Sequence, residues 1–135
     1  MRLVRVLGVL AALVLALAIF YAALAESGEV VVLETRDARG VVHKTRLWVV
    51  DHEGAAWLRT GDPASPWLAR LRVNPEVVVT RNGERREYRA TVVEDPATRG
   101  SINALVLEKY GWRESVLRAA MMDPAGTTPI RMEPR

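Results

Sequence analysis

Residues 6–25 are uncharged and almost wholly apolar, a single unbroken run, and no later segment of the chain is patterned that way. As a helix such a run is roughly 30 Å long, the thickness of a bilayer's hydrocarbon core. Past the short polar joint Glu26-Ser27-Gly28-Glu29, apolar positions come in short stretches separated by turn residues. Val30–Arg36, 41–51 and Ala55–Thr60 read as strands joined by the turns Asp37-Ala38-Arg39-Gly40 and His52-Glu53-Gly54. Gly61-Asp62-Pro63 breaks the pattern, and Ser65-Pro66-Trp67 reads as an N-cap, a first-turn proline and the start of a short helix that Asn74-Pro75 ends. Its apolar side is Trp67, Leu68 and Leu71. Glu76–Arg81 and 84–94 flank Asn82-Gly83, the strongest hairpin signal in the chain. Tyr88, Ala90 and Val92 alternate with charged neighbours, so that strand has one packed face and one wet face. Asp95-Pro96 opens a helix to about residue 110, with Ile102, Leu105 and Val106 at helical spacing; Gly111 interrupts it. A second short helix at 113–121 and a last strand at 127–132 complete the chain, Pro129 being tolerated at a strand start or edge.

This order predicts a mainly β, α+β fold: a small antiparallel barrel with flanking helices, preceded by one N-terminal transmembrane or signal helix. The expected organisation is an anchor or signal segment over 1–25, a linker over 26–29 and a barrel domain over 30–135. The connections are too short for crossover helices, which excludes a doubly wound nucleotide-binding sheet. Arg2 and Arg5 precede the apolar run and Glu26 and Glu29 follow it, so the N-terminus should stay in the cytoplasm. The domain is then held on the periplasmic or extracellular side of the membrane. Ala23-Leu24-Ala25 also fits the small-x-small pattern of signal peptidase, which leaves export after cleavage as the alternative.

Charge changes little. Of 19 basic and 16 acidic residues, Arg2 and Arg5 belong to the leader, and the near-neutral remainder gives no support to nucleic-acid binding. The absence of cysteine excludes disulfides, thiolate metal sites and a cysteine nucleophile. His43 and His52 have no second histidine or carboxylate at metal-ligand spacing, so no metal is expected. No serine sits in a Gly-x-Ser-x-Gly elbow, and no Walker or Gly-x-Gly-x-x-Gly loop occurs.

The stretch Pro66-Trp67-Leu68-Ala69-Arg70-Leu71-Arg72-Val73-Asn74-Pro75-Glu76-Val77 resembles the Pro-x-Trp-x-x-Asn-Leu-x-x-Asn-Pro-x-Val segment of the deazaflavin-dependent nitroreductase and quinone-reductase family. Weaker likenesses are the first hairpin with its basic turn, Thr45-Arg46-Leu47 against the family's Thr-Pro-Leu, Arg59-Thr60-Gly61 before the helix, and Pro129-Ile130-Arg131. The resemblance covers nearly the entire domain after the joint. It implies a split β-barrel of the pyridoxamine-phosphate-oxidase type, binding FMN or a deazaflavin. The sequence departs from the family at the phosphate-holding turn, here Ala38-Arg39-Gly40, at Arg46 in place of proline, and at Arg70 in place of asparagine.

Alternation along 41–50 puts Lys44, Arg46 and Trp48 on one strand face and His43, Thr45 and Leu47 on the other. Arg39 from the turn and Arg59 from the third strand would join Lys44 and Arg46, an arrangement suited to a phosphate, with Trp67 covering a ring. Arg39, Lys44, Arg46, Arg59 and Trp67 are therefore the candidate cofactor-binding residues; their plainer role is a solvated face paired with Glu34, Asp37 and Asp62, and a core tryptophan. Trp48, Trp57 and Trp112 are expected in the core or docking a helix. Arg81, Arg85, Arg86 and Arg89, interleaved with Glu84 and Glu87, are expected to guard a wet sheet edge. Two functions stand: a flavin- or deazaflavin-dependent oxidoreductase acting on a quinone or nitro-type acceptor, and a non-catalytic barrel serving as a ligand-binding or envelope interaction module. Expected partners are the membrane, a ring cofactor and a second copy in a homodimer, and no nucleic acid.

Overall fold

A computed structural model describes residues 1–25, 28–121 and 126–135. The apolar run is one helix, α1 (Arg2–Ala25); its mean hydropathy reaches 2.7 over an 18-residue stretch within Arg2–Leu24, and the protein covers little of it before its last turns. The remaining elements are β1 (Val30–Arg36), β2 (Val42–Trp48), β3 (Val50–His52), β4 (Ala55–Thr60), α2 (Pro66–Val73), β5 (Glu76–Arg81), β6 (Glu84–Val92), α3 (Pro96–Tyr110), α4 (Trp112–Met121) and β7 (Thr128–Pro134). The strands form one antiparallel sheet in the order β2-β1-β5-β6-β7-β4-β3, curled into a half-barrel. The expected mainly β architecture with flanking helices is what forms.

One step closes the curl. The stretch expected as a single strand at 41–51 is two strands broken at Val49, so the chain leaves one edge of the sheet at Trp48 and joins the opposite edge at Val50. Val49 lies outside both ladders, and α3 satisfies its peptide groups: the Tyr110 hydroxyl accepts from Val49 N at 3.0 Å, and Lys109 Nζ donates to Val49 O at 2.7 Å. A buried peptide must find such partners, and strand period alone cannot show where the break falls.

Strand alternation then makes two cores. Val31, Leu33, Leu58, Val77, Val79, Ala90, Ile130 and Met132 point into the barrel, where Trp67, Leu68 and Leu71 of α2 pack on them. The opposite face carries Val50, Ala55 and Trp57, covered by Ile102, Val106 and Tyr110 of α3. The Tyr110 ring stacks on Trp48 with centroids 4.1 Å apart and planes 6° from parallel.

Most turns follow their local signals. Asn82 and Gly83 both have positive φ, 52° and 76°, as a two-residue hairpin of this twist requires. Asp95 caps α3 by accepting from Thr98 N at 2.8 Å. Ser65 precedes α2, but its side chain does not cap it: Oγ instead donates to Asp62 O at 2.6 Å. The β5–β6 hairpin is not a sheet edge; the edges are β2 and β3, and Arg85 pairs sideways with Glu34 of β1 at 3.0 Å. Trp112, expected in the core or docking a helix, is 59% exposed.

Of the joint after α1, Glu26 and Ser27 lie outside the described residues. Gly28 has φ +78°, and a Cβ there would lie 3.0 Å from the Tyr110 ring. The Glu29 carboxylate receives two bonds from Arg81, both 2.9 Å, and one from Lys109 at 2.6 Å, while Arg81 also holds Asp51 at 2.8 and 2.7 Å. The start of β1, the start of β3, the end of β5 and the end of α3 are thereby tied together. The bond to Arg81 is the main reason the Glu29 and Asp51 carboxyls are held below their ordinary range. Burial raises the Tyr110 phenol to about 12.

Candidate functional site

The end of β4 and the loop after it build the main cavity. Thr60 Oγ1 donates to Asp62 O at 2.6 Å, Asp62 Oδ1 accepts from Ala64 N at 2.9 Å, and Ser65 lies 2.9 Å from Thr60 Oγ1, a bonded loop that delivers Trp67 to the first turn of α2. Above this loop is a cavity of about 660 Å³, within the range of small-molecule sites. Leu47 of β2, Trp67 of α2 and Leu117 of α4 form one side, and Ala18, Tyr21 and Ala22 of α1 the other. A smaller cavity of about 200 Å³ adjoins it, sharing Leu47, Arg59, Gly61 and Leu117 and extending to Arg46, Trp48 and Trp57.

The five candidate residues separate into groups. Arg46 and Arg59 share the smaller cavity, although β2 and β4 are not neighbours in the sheet, because the curl brings the two strands together. Arg59 and Trp67 share the larger one. Trp67 is a core residue and a cavity wall at once, 7% exposed. Arg39, exposed at the tip of the first hairpin, and Lys44, exposed on β2 opposite Glu34, line neither cavity. Asp37 is engaged by His43, whose Nε2 lies 2.8 Å from its Oδ2, and that bond lowers the Asp37 carboxyl.

Arg59 is not the solvated cation its position in the sequence suggests. Its side chain is 6% exposed and forms a bidentate pair, both bonds 2.9 Å, with Glu114, which is fully buried. Asn103 Oδ1 accepts a further bond from Arg59 at 3.0 Å, and Arg118 adds another to Glu114 at 3.0 Å. The alternating pattern of β4 sends Arg59 to the face where α3 and α4 pack, so the charge is buried and has to be paired. Arg70, at the departure from the family segment, donates from Nε to the buried Thr35 at 2.8 Å.

Sequence reasoning missed Tyr21, Tyr110 and Glu114. Glu114 and Arg118 at i,i+4 look like an ordinary surface pair, and Tyr21 is one aromatic in an apolar run, so neither carries a sequence signal. Tyr110 follows the helical spacing of Ile102 and Val106 and was legible as an apolar position, without its hydroxyl's role.

No family model matches the chain, and no curated protein matches it. Solved structures do. A conserved hypothetical protein of Mycobacterium tuberculosis aligns at TM-score 0.60 and 23% identity, covering 81% of this chain and 74% of that one. A Listeria innocua protein provisionally named a pyridoxamine 5′-phosphate oxidase aligns at TM-score 0.59 and 18% identity, over 84% and 90% of the two chains. This fold is the split β-barrel. The heme storage protein HutZ of Vibrio cholerae shares it at TM-score 0.63 and 16% identity, covering 84% of this chain and 87% of that one. Identities this low establish the split barrel and leave the chemistry to the residues.

Proposed function

We propose that the chain is a membrane-attached split-barrel oxidoreductase that holds a flat ring cofactor of the flavin or deazaflavin class and passes hydride to a quinone or nitro-type acceptor. The observation that supports this most is the pair of joined cavities, with Trp67 forming a wall of the larger and Arg46 at the far side of the smaller. The ring portion fits: about 660 Å³ bounded by Trp67, Tyr21 and Leu47 accepts a planar aromatic system. For the anionic end, Arg46, which lines the smaller cavity beside Arg59, is the candidate for a charge-assisted bond. The bound cofactor would supply the hydride chemistry, and the protein would position it and exclude water.

A second reading, a non-catalytic barrel that binds a ligand or an envelope partner, is favoured by the Arg59–Glu114 pair and by Asp62 at the larger cavity, which together leave little net positive charge for a phosphate. Titration of the full chain in detergent with FMN and with a deazaflavin, followed by tryptophan fluorescence and visible absorbance, separates the two. Saturable quenching is expected, and Arg46→Ala should weaken it about tenfold, the equivalent of one charge-assisted bond at its weaker end. No saturation at high micromolar concentration would leave the non-catalytic reading standing.

A further inference from the structure

The larger cavity has a wall made from the membrane helix. Ala18 and Ala22 are one helical turn apart and Tyr21 lies on the same side, so one face of the last two turns of α1 is turned toward the barrel. Earlier in the helix the large side chains, from Leu3 to Phe20, are at least about half exposed, as expected of a surface meant for lipid. At 1.5 Å per residue, Ala18 lies roughly 10 Å before the end of α1, which is hydrocarbon depth for a helix that crosses with residues 6–25. Alanines at 18 and 22 leave open the space that the leucines elsewhere in the run would fill.

Several polar side chains on the cavity wall already bond within the protein. Arg59 is held by Glu114, Thr60 and Ser65 donate to Asp62 O, and Asp62 accepts from Ala64 N. The remaining surface is glycine, alanine, leucine and the rings of Tyr21 and Trp67, apolar apart from the Tyr21 hydroxyl and the Trp67 indole N–H. Polar groups already satisfied within the protein confer no specificity for a polar ligand, whereas apolar surface at bilayer depth favours an apolar one. Trp112, 59% exposed, stands at the start of α4, the helix that packs against α1.

We infer that this cavity receives the apolar chain of a bilayer lipid, entering between α1 and the barrel past Ala18 and Ala22, so that the anchor helix is part of the binding site. The inference rests on the membrane placement of α1 in the proposed function, and because the chain would fill the cavity that the proposed ring cofactor also uses, the two ligands should compete there. The shared chemistry is a hydrocarbon chain, from either a phospholipid or a polyprenyl lipid.

The test uses the full chain with Trp112→Phe in nanodiscs of phosphatidylcholine carrying brominated acyl chains, which quench a tryptophan only on close approach. Trp67, otherwise sealed in the core, should be quenched: adding Trp67→Phe should remove at least half of the bromine-dependent loss of fluorescence. Filling the cavity with Ala18→Leu and Ala22→Phe, which leaves Trp67 in place, should remove a comparable share with an unchanged far-ultraviolet spectrum. Relief of quenching by an unbrominated polyprenyl alcohol would assign the chain to a polyprenyl lipid, and no relief would assign it to phospholipid. Equal quenching with and without Trp67, or quenching that survives the filled cavity, would overturn the inference. FMN titration of the full chain in detergent, without brominated lipid, reports the cofactor reading separately, so either idea can fail alone.

Discussion

Replacing Tyr110 by Phe removes one oxygen and keeps the ring that stacks on Trp48. That oxygen accepts from Val49 N at 3.0 Å and donates to Glu29 O at 2.6 Å, where the short joint from α1 enters the barrel. Val49 O keeps Lys109, so the uncompensated group is the buried Val49 N–H. An unsatisfied buried donor costs about 1–3 kcal/mol, and losing the bond to Glu29 adds about 1 kcal/mol, so we expect a total near 3 kcal/mol. For a domain of this size that lowers the melting temperature by roughly 10 °C. The assay is thermal unfolding of the full chain in detergent, followed by the near-ultraviolet circular dichroism of the stacked Trp48. The phenol also gives a second readout. Its value of about 12 is raised from 10.0, so the folded state holds this proton more tightly than the unfolded one. The contribution is complete below pH 10 and is lost as pH rises toward 12. A titration at 295 nm should show a late phenol that Tyr110→Phe abolishes. A variant that melts within about 1 °C of wild type would refute the claim that this hydroxyl satisfies the step between β2 and β3.

Arg59→Met leaves the buried Glu114 with Arg118 as its remaining cation, and chemical denaturation should show a loss of about 3–5 kcal/mol, far more than an exposed arginine would cost. The bond to Arg81 holds the Glu29 and Asp51 carboxyls below their ordinary range, so their stabilisation is present at neutral pH and is lost as acid takes pH through the lowered values. Arg81→Met should flatten the acid limb of a stability-versus-pH profile. Trp112→Ala should leave the melting temperature unchanged within about 1 °C, because the side chain packs on little of the protein, while reducing exposed apolar surface and aggregation once detergent is removed.

The sequence by itself determined the elements. An apolar run of bilayer length, strands with period two, positive-φ turn residues at Asn82-Gly83 and Asp95-Pro96 at the head of α3 are local signals, written by sterics and solvation within a few residues. They sufficed for the barrel class and for the apolar side of α2. The tertiary structure decided what those elements share. The break at Val49 is invisible in a continuous strand pattern, because it is set by the opposite sheet edge and by Tyr110, 61 residues further along the chain. Arg59 reads as a surface cation until packing places it against Glu114, 55 residues away, and burial turns a solvated charge into an obligatory pair. Arg46 and Arg59 meet only because the sheet curls, and Tyr21 joins Trp67 only because α1 ends beside α4. Side-chain periodicity tells which face a residue takes. Which partner covers that face is a long-range property, fixed by burial and hydrogen-bond satisfaction across the curled sheet and its helices.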